Sequence, residues 1–211
     1  PDGERSMNTY LGVTEFLTSD DIDETQMAEA EWIYLEGYRF DGPESHAAFT
    51  KAISVCKAAG GRVSLTLSDP FCVSRHRDAF RAMIQADVDL LFCNRAEMLS
   101  MYETDDFDAA LAQAAVEVAV VACTDSGNGA FVLSEGQTWH VPAIPTDIVD
   151  ATGAGDLFAG AFLWALTHGY IPKDCAHIGN IAAAEVISHI GARPEADLKV
   201  LIAQAGLKPA T

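Results

Sequence analysis

Ile148-Val149-Asp150-Ala151-Thr152-Gly153-Ala154-Gly155-Asp156-Leu157-Phe158 decides how this chain is read, because small residues stand where a loop gives way to an apolar helix and an acid follows at once. Gly153, Ala154 and Gly155 carry almost no side chain, so their backbone N–H groups can approach an anion closely. The helix they open adds a partial positive charge at its start. Asp156 then stands beside any anion held there. A carboxylate facing a bound phosphate is unfavourable unless it does chemistry, and accepting the proton of an attacking hydroxyl is such chemistry. The pattern points to phosphoryl transfer. Taken alone, the same residues also suit a glycine-rich helix start with Asp156 as an exposed acid in its first turn.

Working outward, short apolar runs alternate with longer helical patterns. Trp32 to Leu35, Arg62 to Leu67 and Val88 to Cys93 read as strands, and Glu117 to Cys123 as a nearly continuous apolar strand of the kind buried on both faces of a parallel sheet. Pro43 to Ala59 reads as a helix with proline near its start and Gly60-Gly61 as its stop. Arg75 to Gln85, Arg95 to Tyr102 and Phe107 to Ala115 are further helices. Gly129 to Leu133 and Gln137 to Val141 form a hairpin-like pair, and the helices Gly155 to Thr167, Lys173 to His189 and Glu195 to Ala205 close the chain. Ser6 to Leu17 is β-compatible without clean periodicity, and Ser19 to Glu24 reads as a solvated acidic loop. Repeated β-α units imply right-handed crossovers and an α/β/α sandwich.

The 211 residues, about half of them apolar, suffice for one core and one domain. No apolar run approaches the roughly 20 residues that span a bilayer, and the N-terminus lacks a basic-then-apolar signal pattern. A net charge of −18 argues against nucleic acid and against an anionic membrane surface as partners. An anionic ligand then needs local positive sources: helix N-termini, a few basic residues or a metal ion. Five cysteines without CxxC spacing read as reduced, buried thiols of a soluble cytoplasmic protein, and the six histidines show no zinc-ligand spacing.

Further segments carry site chemistry. Asn94-Arg95-Ala96-Glu97 follows a strand directly, where ligands of open α/β sheets collect. Glu97 can act on Mg²⁺ through its water shell there, with Asn94 as a neutral polar contact; an asparagine helix cap with a first-turn acid is the other meaning of this spacing. Cys123-Thr124-Asp125-Ser126-Gly127-Asn128-Gly129 ends the most apolar strand, in a polar turn. Gly179-Asn180-Ile181-Ala182-Ala183-Ala184 puts small residues on a helix, leaving room for a flat base or allowing close helix packing. A dinucleotide fingerprint is excluded, since Phe158 occupies its third glycine position and a proline-containing loop precedes it.

Taken in order, these segments resemble the ribokinase-like (PfkB) carbohydrate and nucleoside kinases. The carriers are Asp-x-Thr-Gly-Ala-Gly-Asp at Asp150–Asp156, Asn-x-x-Glu at Asn94–Glu97, Thr-x-Gly/Ser-x-x-Gly at Thr124, Ser126 and Gly129, and the small-residue helix followed by Gly191-Ala192-Arg193-Pro194. The resemblance implies a three-layer α/β/α sandwich with a mostly parallel central sheet, in which residues 1–211 form the C-terminal two thirds of one kinase domain. It implies Asp156 as base, Gly153, Ala154 and Gly155 as anion hole, and ATP held by Thr124, Ser126, Gly129, Asn180 and Ala183. It also implies Mg²⁺ near Asn94 and Glu97, and leaves open a K⁺ ion near Asp150 and Gly191 to Ala192.

Leu67-Ser68-Asp69-Pro70-Phe71 and Val88-Asp89-Leu90-Leu91-Phe92-Cys93-Asn94 are similar to stretches of the adenosine kinases, as is Gly3-Glu4-Arg5-Ser6-Met7 with Glu4 in place of their Asn. Arg5 is a candidate phosphate or substrate contact, or an exposed strand-end arginine. Adenosine is the first acceptor expected, with ribose, fructose or a sugar acid as alternatives and a catalytically silent ATP-binding homologue as another class. A homodimer is left open. The chain begins Pro1-Asp2-Gly3-Glu4 without Met, and the expectation is that a substrate-binding N-terminal portion, with the contacts that hold sugar hydroxyls, is missing.

Overall fold

The computed structural model describes residues 7–210, so Arg5 lies outside the described residues. Among the described residues, 9–123 and 124–210 gather into two compact units, the second taking in residues 7 and 8 as well.

Residues 9–123 begin with 3-10 turns at Gly12–Phe16 and Ser19–Asp21. The β-compatible stretch at the start makes no strand among the described residues. A strand exists only by pairing, and the backbone bond recorded there is the local one from Thr14 N to Leu11 O. The acidic loop expected next is in part ordered: Thr18 and Asp21 form a capping box, and Asp23 caps a short helix, α1 (Glu24–Glu29), by accepting from Thr25 N and Gln26 N.

Then follow β1 (Trp32–Glu36), α2 (Ser45–Ala58), β2 (Arg62–Thr66), α3 (Pro70–Ala86), β3 (Leu90–Asn94), α4 (Arg95–Tyr102), α5 (Phe107–Glu117) and β4 (Val120–Thr124). β1 and β2 pair in parallel with Ile33 opposite Val63, and β2 and β3 with Leu65 opposite Leu91. Val63, Leu65, Leu90, Leu91, Val121 and Cys123 are fully buried, which is why these strands read as unbroken apolar runs. The buried hydroxyl of Ser64 is satisfied by Ile33 O at 2.9 Å.

Several boundaries shift by a residue or two, and two differ most from the expected ones, each for a tertiary or capping reason. α3 starts at Pro70 rather than Arg75 because Asp69 accepts from Cys72 N at 2.7 Å and Pro70 takes the first helical position. His76 interrupts it with φ −124° and ψ 19°, so only the later part shows clean periodicity. Glu117 ends α5 instead of opening β4, because Arg81 Nη2 lies 2.5 Å from its Oε1 and Tyr102 donates to its Oε2 at 2.9 Å.

Residues 124–211 contain the antiparallel hairpin β5 (Ala130–Ser134) and β6 (Gln137–Val141), then α6 (Ala154–Thr167), α7 (Pro172–Val186) and α8 (Leu198–Gln204). The last two are shorter than expected at one or both ends, and residues 189–196 between them form no helix. α6 and α7 pack closely at Gly179, where a Cβ would come within 2.7 Å of the Phe158 ring. In residues 9–123 the strands lie in the order β1-β2-β3-β4, and in residues 124–210 β5 neighbours β6. All five cysteines are buried and unbridged, and no described helix is long and apolar enough to cross a membrane.

Candidate active site

α6 opens as the sequence requires. Gly153 caps it with φ 85° and ψ −2°, a left-handed conformation that side chains disfavour. A Cβ there would also lie 2.9 Å from that of Ala192. Leu157 N donates to Gly153 O at 2.9 Å, while the N–H groups of Gly155 and Asp156 have no acceptor among the described residues. A Cβ on Gly155 would meet nothing within 4 Å, so the surface at that residue is open. Asp156, in the first turn, is exposed. Free N–H groups at the start of a 14-residue helix are the kind of donors that can hold an anion, and the acid stands among them.

Asp150 brings the flanking loops together. Its Oδ1 accepts from Thr152 N at 2.9 Å and Thr152 Oγ1 at 2.6 Å, and its Oδ2 accepts from Gly191 N at 3.1 Å. The two loops named from sequence as neighbours of a monovalent cation are thus in contact. Val149 N donates to Ile187 O at 2.8 Å, anchoring the same loop on the end of α7.

Thr124 ends β4, and the turn after it closes through Asp125 N to Gly129 O at 2.7 Å and Gly129 N to Ser126 O at 3.0 Å. Ser126 and Gly129 both have positive φ, and Ser126 is exposed. Asn180 is buried, its Nδ2 donating to Val141 O at 3.1 Å and Pro142 O at 3.0 Å. That amide thus ties α7 to the segment after β6. Ala183 is half-buried on the same helix. The small residues of α7 serve close packing at Gly179.

In residues 9–123, Asn94 and Glu97 form a capping box at the start of α4. Glu97 N donates to Asn94 Oδ1 at 2.9 Å, Asn94 N to Glu97 Oε2 at 2.9 Å, and Asn94 Nδ2 to Glu97 Oε1 at 2.6 Å. The helix-cap meaning of the spacing is therefore realised, but Glu97 is also 4% exposed, which a simple cap does not require. Its carboxyl is pushed up to about 7, first by burial and then by the charges of Asp69 and Glu36, against the pull of the Asn94 N–H.

Sequence reading did not single out that acidic surround. Glu36, Asp69 and Asn94 end or follow β1, β2 and β3, so parallel pairing brings three polar strand ends to one side of the sheet. Ser68 donates to Glu36 Oε1, accepts from Tyr38 N at 3.2 Å, and adopts φ 72° in a tight turn closed by Asp69 N to Leu67 O at 3.0 Å. Such a positive-φ γ-turn at a non-glycine is strained. Tyr38 is pushed up to about 12 by burial and then by Asp69. Acids at successive strand ends were the available signal. Among the described residues no group of three or more His, Cys, Asp or Glu is arranged to hold a metal directly.

This α/β fold carries a helix start with free N–H groups and an exposed acid, an arrangement suited to an anion such as phosphate. The pfkB family carbohydrate kinase description matches residues 1–198, and the chain belongs to that family. It is similar to a probable sugar kinase protein from Rhizobium etli, 43% identical, with a TM-score of 0.94 over 97% of this chain and 63% of that one. An adenosine kinase from Sinorhizobium meliloti is 41% identical, with a TM-score of 0.93 over 97% of this chain and 63% of that one. An ATP-dependent ribose-1-phosphate kinase of Halopiger xanaduensis is 31% identical over 206 residues, 93% of this chain and 62% of the relative. The chain thus spans 62% of the length of the curated relatives it matches first. The ribokinase-like three-layer α/β fold is established by these likenesses.

Proposed function

We propose that this protein is an ATP-dependent phosphotransferase that moves the γ-phosphate to a hydroxyl of a nucleoside or sugar, with adenosine as the first acceptor. The observation that carries the reading is the start of α6, where the N–H groups of Gly155 and Asp156 lack acceptors and the Asp156 carboxylate is exposed beside them. In this reading Gly153, Ala154 and Gly155 hold the transferring phosphate, and Asp156 takes the proton of the attacking hydroxyl. The turn at Thr124, Ser126 and Gly129 contacts the nucleotide, with α7 at Asn180 and Ala183 on its base side.

The acids around Glu97 fit a hydrated Mg²⁺. Both Glu97 oxygens accept from Asn94, so the carboxylate acts on the ion through water rather than by direct ligation. When bound, Mg²⁺ supplies charge neutralisation on the phosphates. Asp150 orders the loops at Thr152 and Gly191 that would hold K⁺.

The names of the relatives favour two acceptors. The adenosine kinase likeness supports a nucleoside, while the probable sugar kinase and the ribose-1-phosphate kinase support a sugar. The test is a coupled ADP-release assay with Mg-ATP and adenosine, ribose, fructose and a sugar acid in separate reactions, with Asp156→Asn as control. Transfer to adenosine that disappears in the control supports the reading. Transfer to a sugar alone replaces adenosine by that sugar, and no transfer to any acceptor leaves a silent ATP-binding homologue.

A further inference from the structure

Between α7 and α8 the chain runs from Ile187 to Ala196 as a strap without helix or strand. Among the described residues, no backbone-to-backbone hydrogen bond is made by 189–196. The strap is held instead at three places. At its start Ile187 O accepts from Val149 N at 2.8 Å and from Asp150 N at 3.3 Å. At its middle Gly191 N donates to Asp150 Oδ2 at 3.1 Å, and Ala192 lies so close to Gly153 that a Cβ on the glycine would come within 2.9 Å of the alanine methyl. At its end Glu195 N and Ala196 N both donate to Glu185 Oε1 at 2.8 Å.

Glu185 stands one residue before the end of α7, with its side chain 8% exposed, and its Oε2 is buried without a hydrogen-bond partner. A buried acid with one idle oxygen costs stability that an apolar residue of similar volume would not. What explains the acid is the pair of N–H groups on its other oxygen. We propose that Glu185 is a positioning residue for triphosphate binding: it fixes the end of the strap, and the strap seats Gly191 and Ala192 against Asp150 and Gly153. The proposal rests on the kinase reading. Glu185 itself touches no ligand. Only Arg193 and Pro194 stand between Ala192 and Glu195, and the fixed φ of proline with its restriction on the residue before it keeps that span stiff. A displacement at Glu195 therefore reaches Ala192. Gly153, at φ 85° and without a side chain, shifts readily once Ala192 no longer backs it, and the N–H groups of Gly155 and Asp156 follow from it.

The test compares the wild type with Glu185→Ala and Glu185→Gln by residue-resolved amide hydrogen exchange and by equilibrium binding of Mg-ATP, with transfer kinetics followed in parallel. In Glu185→Ala the amides of Gly191, Glu195 and Ala196 should exchange roughly tenfold faster, while those in the middle of α6 keep their wild-type rates. Mg-ATP should bind roughly tenfold more weakly and its KM rise with it, the KM of the acceptor staying within about twofold. A merely structural loss would lower the active fraction and leave both constants where they are. Glu185→Gln, whose amide oxygen still accepts from Glu195 N and Ala196 N, should restore exchange and binding. Faster exchange confined to Glu195 and Ala196, unaltered Mg-ATP binding in Glu185→Ala, no rescue by Glu185→Gln, or a wild type that binds no Mg-ATP overturns the proposal. If Glu185→Ala does not fold, Glu185→Asp, which draws the carboxylate back by one methylene, is read in the same way. Transfer by every variant with one common KM for Mg-ATP keeps the kinase reading and removes Glu185. Mg-ATP binding that weakens in Glu185→Ala, with no transfer by the wild type to any acceptor, keeps Glu185 and removes the kinase reading.

Discussion

Glu97→Gln tests whether the buried acid at the start of α4 weakens the fold near neutral pH. In the folded chain this carboxyl is pushed from 4.5 up to about 7, chiefly by burial. An acid whose folded pKa is raised binds a proton on folding. Its contribution to stability is therefore fully present below 4.5, declines as pH rises from 4.5 to about 7, and is gone above that. The gap corresponds to roughly 3 kcal/mol at about 1.4 kcal/mol per pH unit. Glutamine carries no charge and can still accept from the Asn94 N–H, as a capping box allows. Its NH₂, however, meets Asn94 Nδ2, which in the wild type donates to Glu97 Oε1 at 2.6 Å. Losing that bond costs roughly 1–2 kcal/mol. The variant should therefore be about 1–2 kcal/mol more stable than wild type at pH 8 and slightly less stable at pH 5. Urea unfolding at several pH values between these limits reads the difference directly. Parallel stability curves for the two proteins would refute the argument, because they would mean that Glu97 titrates alike in the folded and unfolded chains.

The same variant should need more Mg²⁺ for half-maximal transfer, and superimposed magnesium titrations would reduce Asn94–Glu97 to a helix cap. Asp156→Asn should keep the thermal midpoint and nucleotide affinity while turnover falls roughly 10²–10⁴-fold; near-wild-type turnover removes Asp156 from the base role. Gly153→Ala puts a Cβ at φ 85° and 2.9 Å from that of Ala192. It should cost roughly 1–2 kcal/mol in urea unfolding and weaken triphosphate binding, and an unchanged unfolding midpoint would show that the loop relaxes freely. Asp150→Ala removes the acceptor of Thr152 and Gly191. Any dependence of the transfer rate on K⁺ over Li⁺ should disappear with it, and an undiminished dependence would place the cation elsewhere.

What local chemistry sets could be read from the chain. The start of α6 at Gly153 to Asp156 needs only backbone freedom and a short side chain. α4 begins and ends at Arg95 and Tyr102 as its pattern implies, and the apolar runs of β2 and β3 announce burial on both faces. Even local signals were missed where they ran against composition: the acidic stretch before α1 hides the Asp23 cap, and the Asp69–Pro70 cap was passed over for the periodicity beyond His76.

The tertiary structure decided what depends on residues far apart in sequence. Glu117 belongs to α5 because Arg81 and Tyr102 hold it there, and neither is its neighbour in the chain. Asn94 and Glu97 showed a cap in sequence, but only parallel pairing of β1, β2 and β3 puts Glu36 and Asp69 near enough to raise the Glu97 carboxyl. In sequence Glu185 is one more acid on a helix, and only the fold brings residues 195 and 196 back to occupy one of its oxygens while the other stays buried. Caps, turns and periodicity act within a few residues and so are written locally. Burial and charge coupling are set by which distant segments the topology brings together.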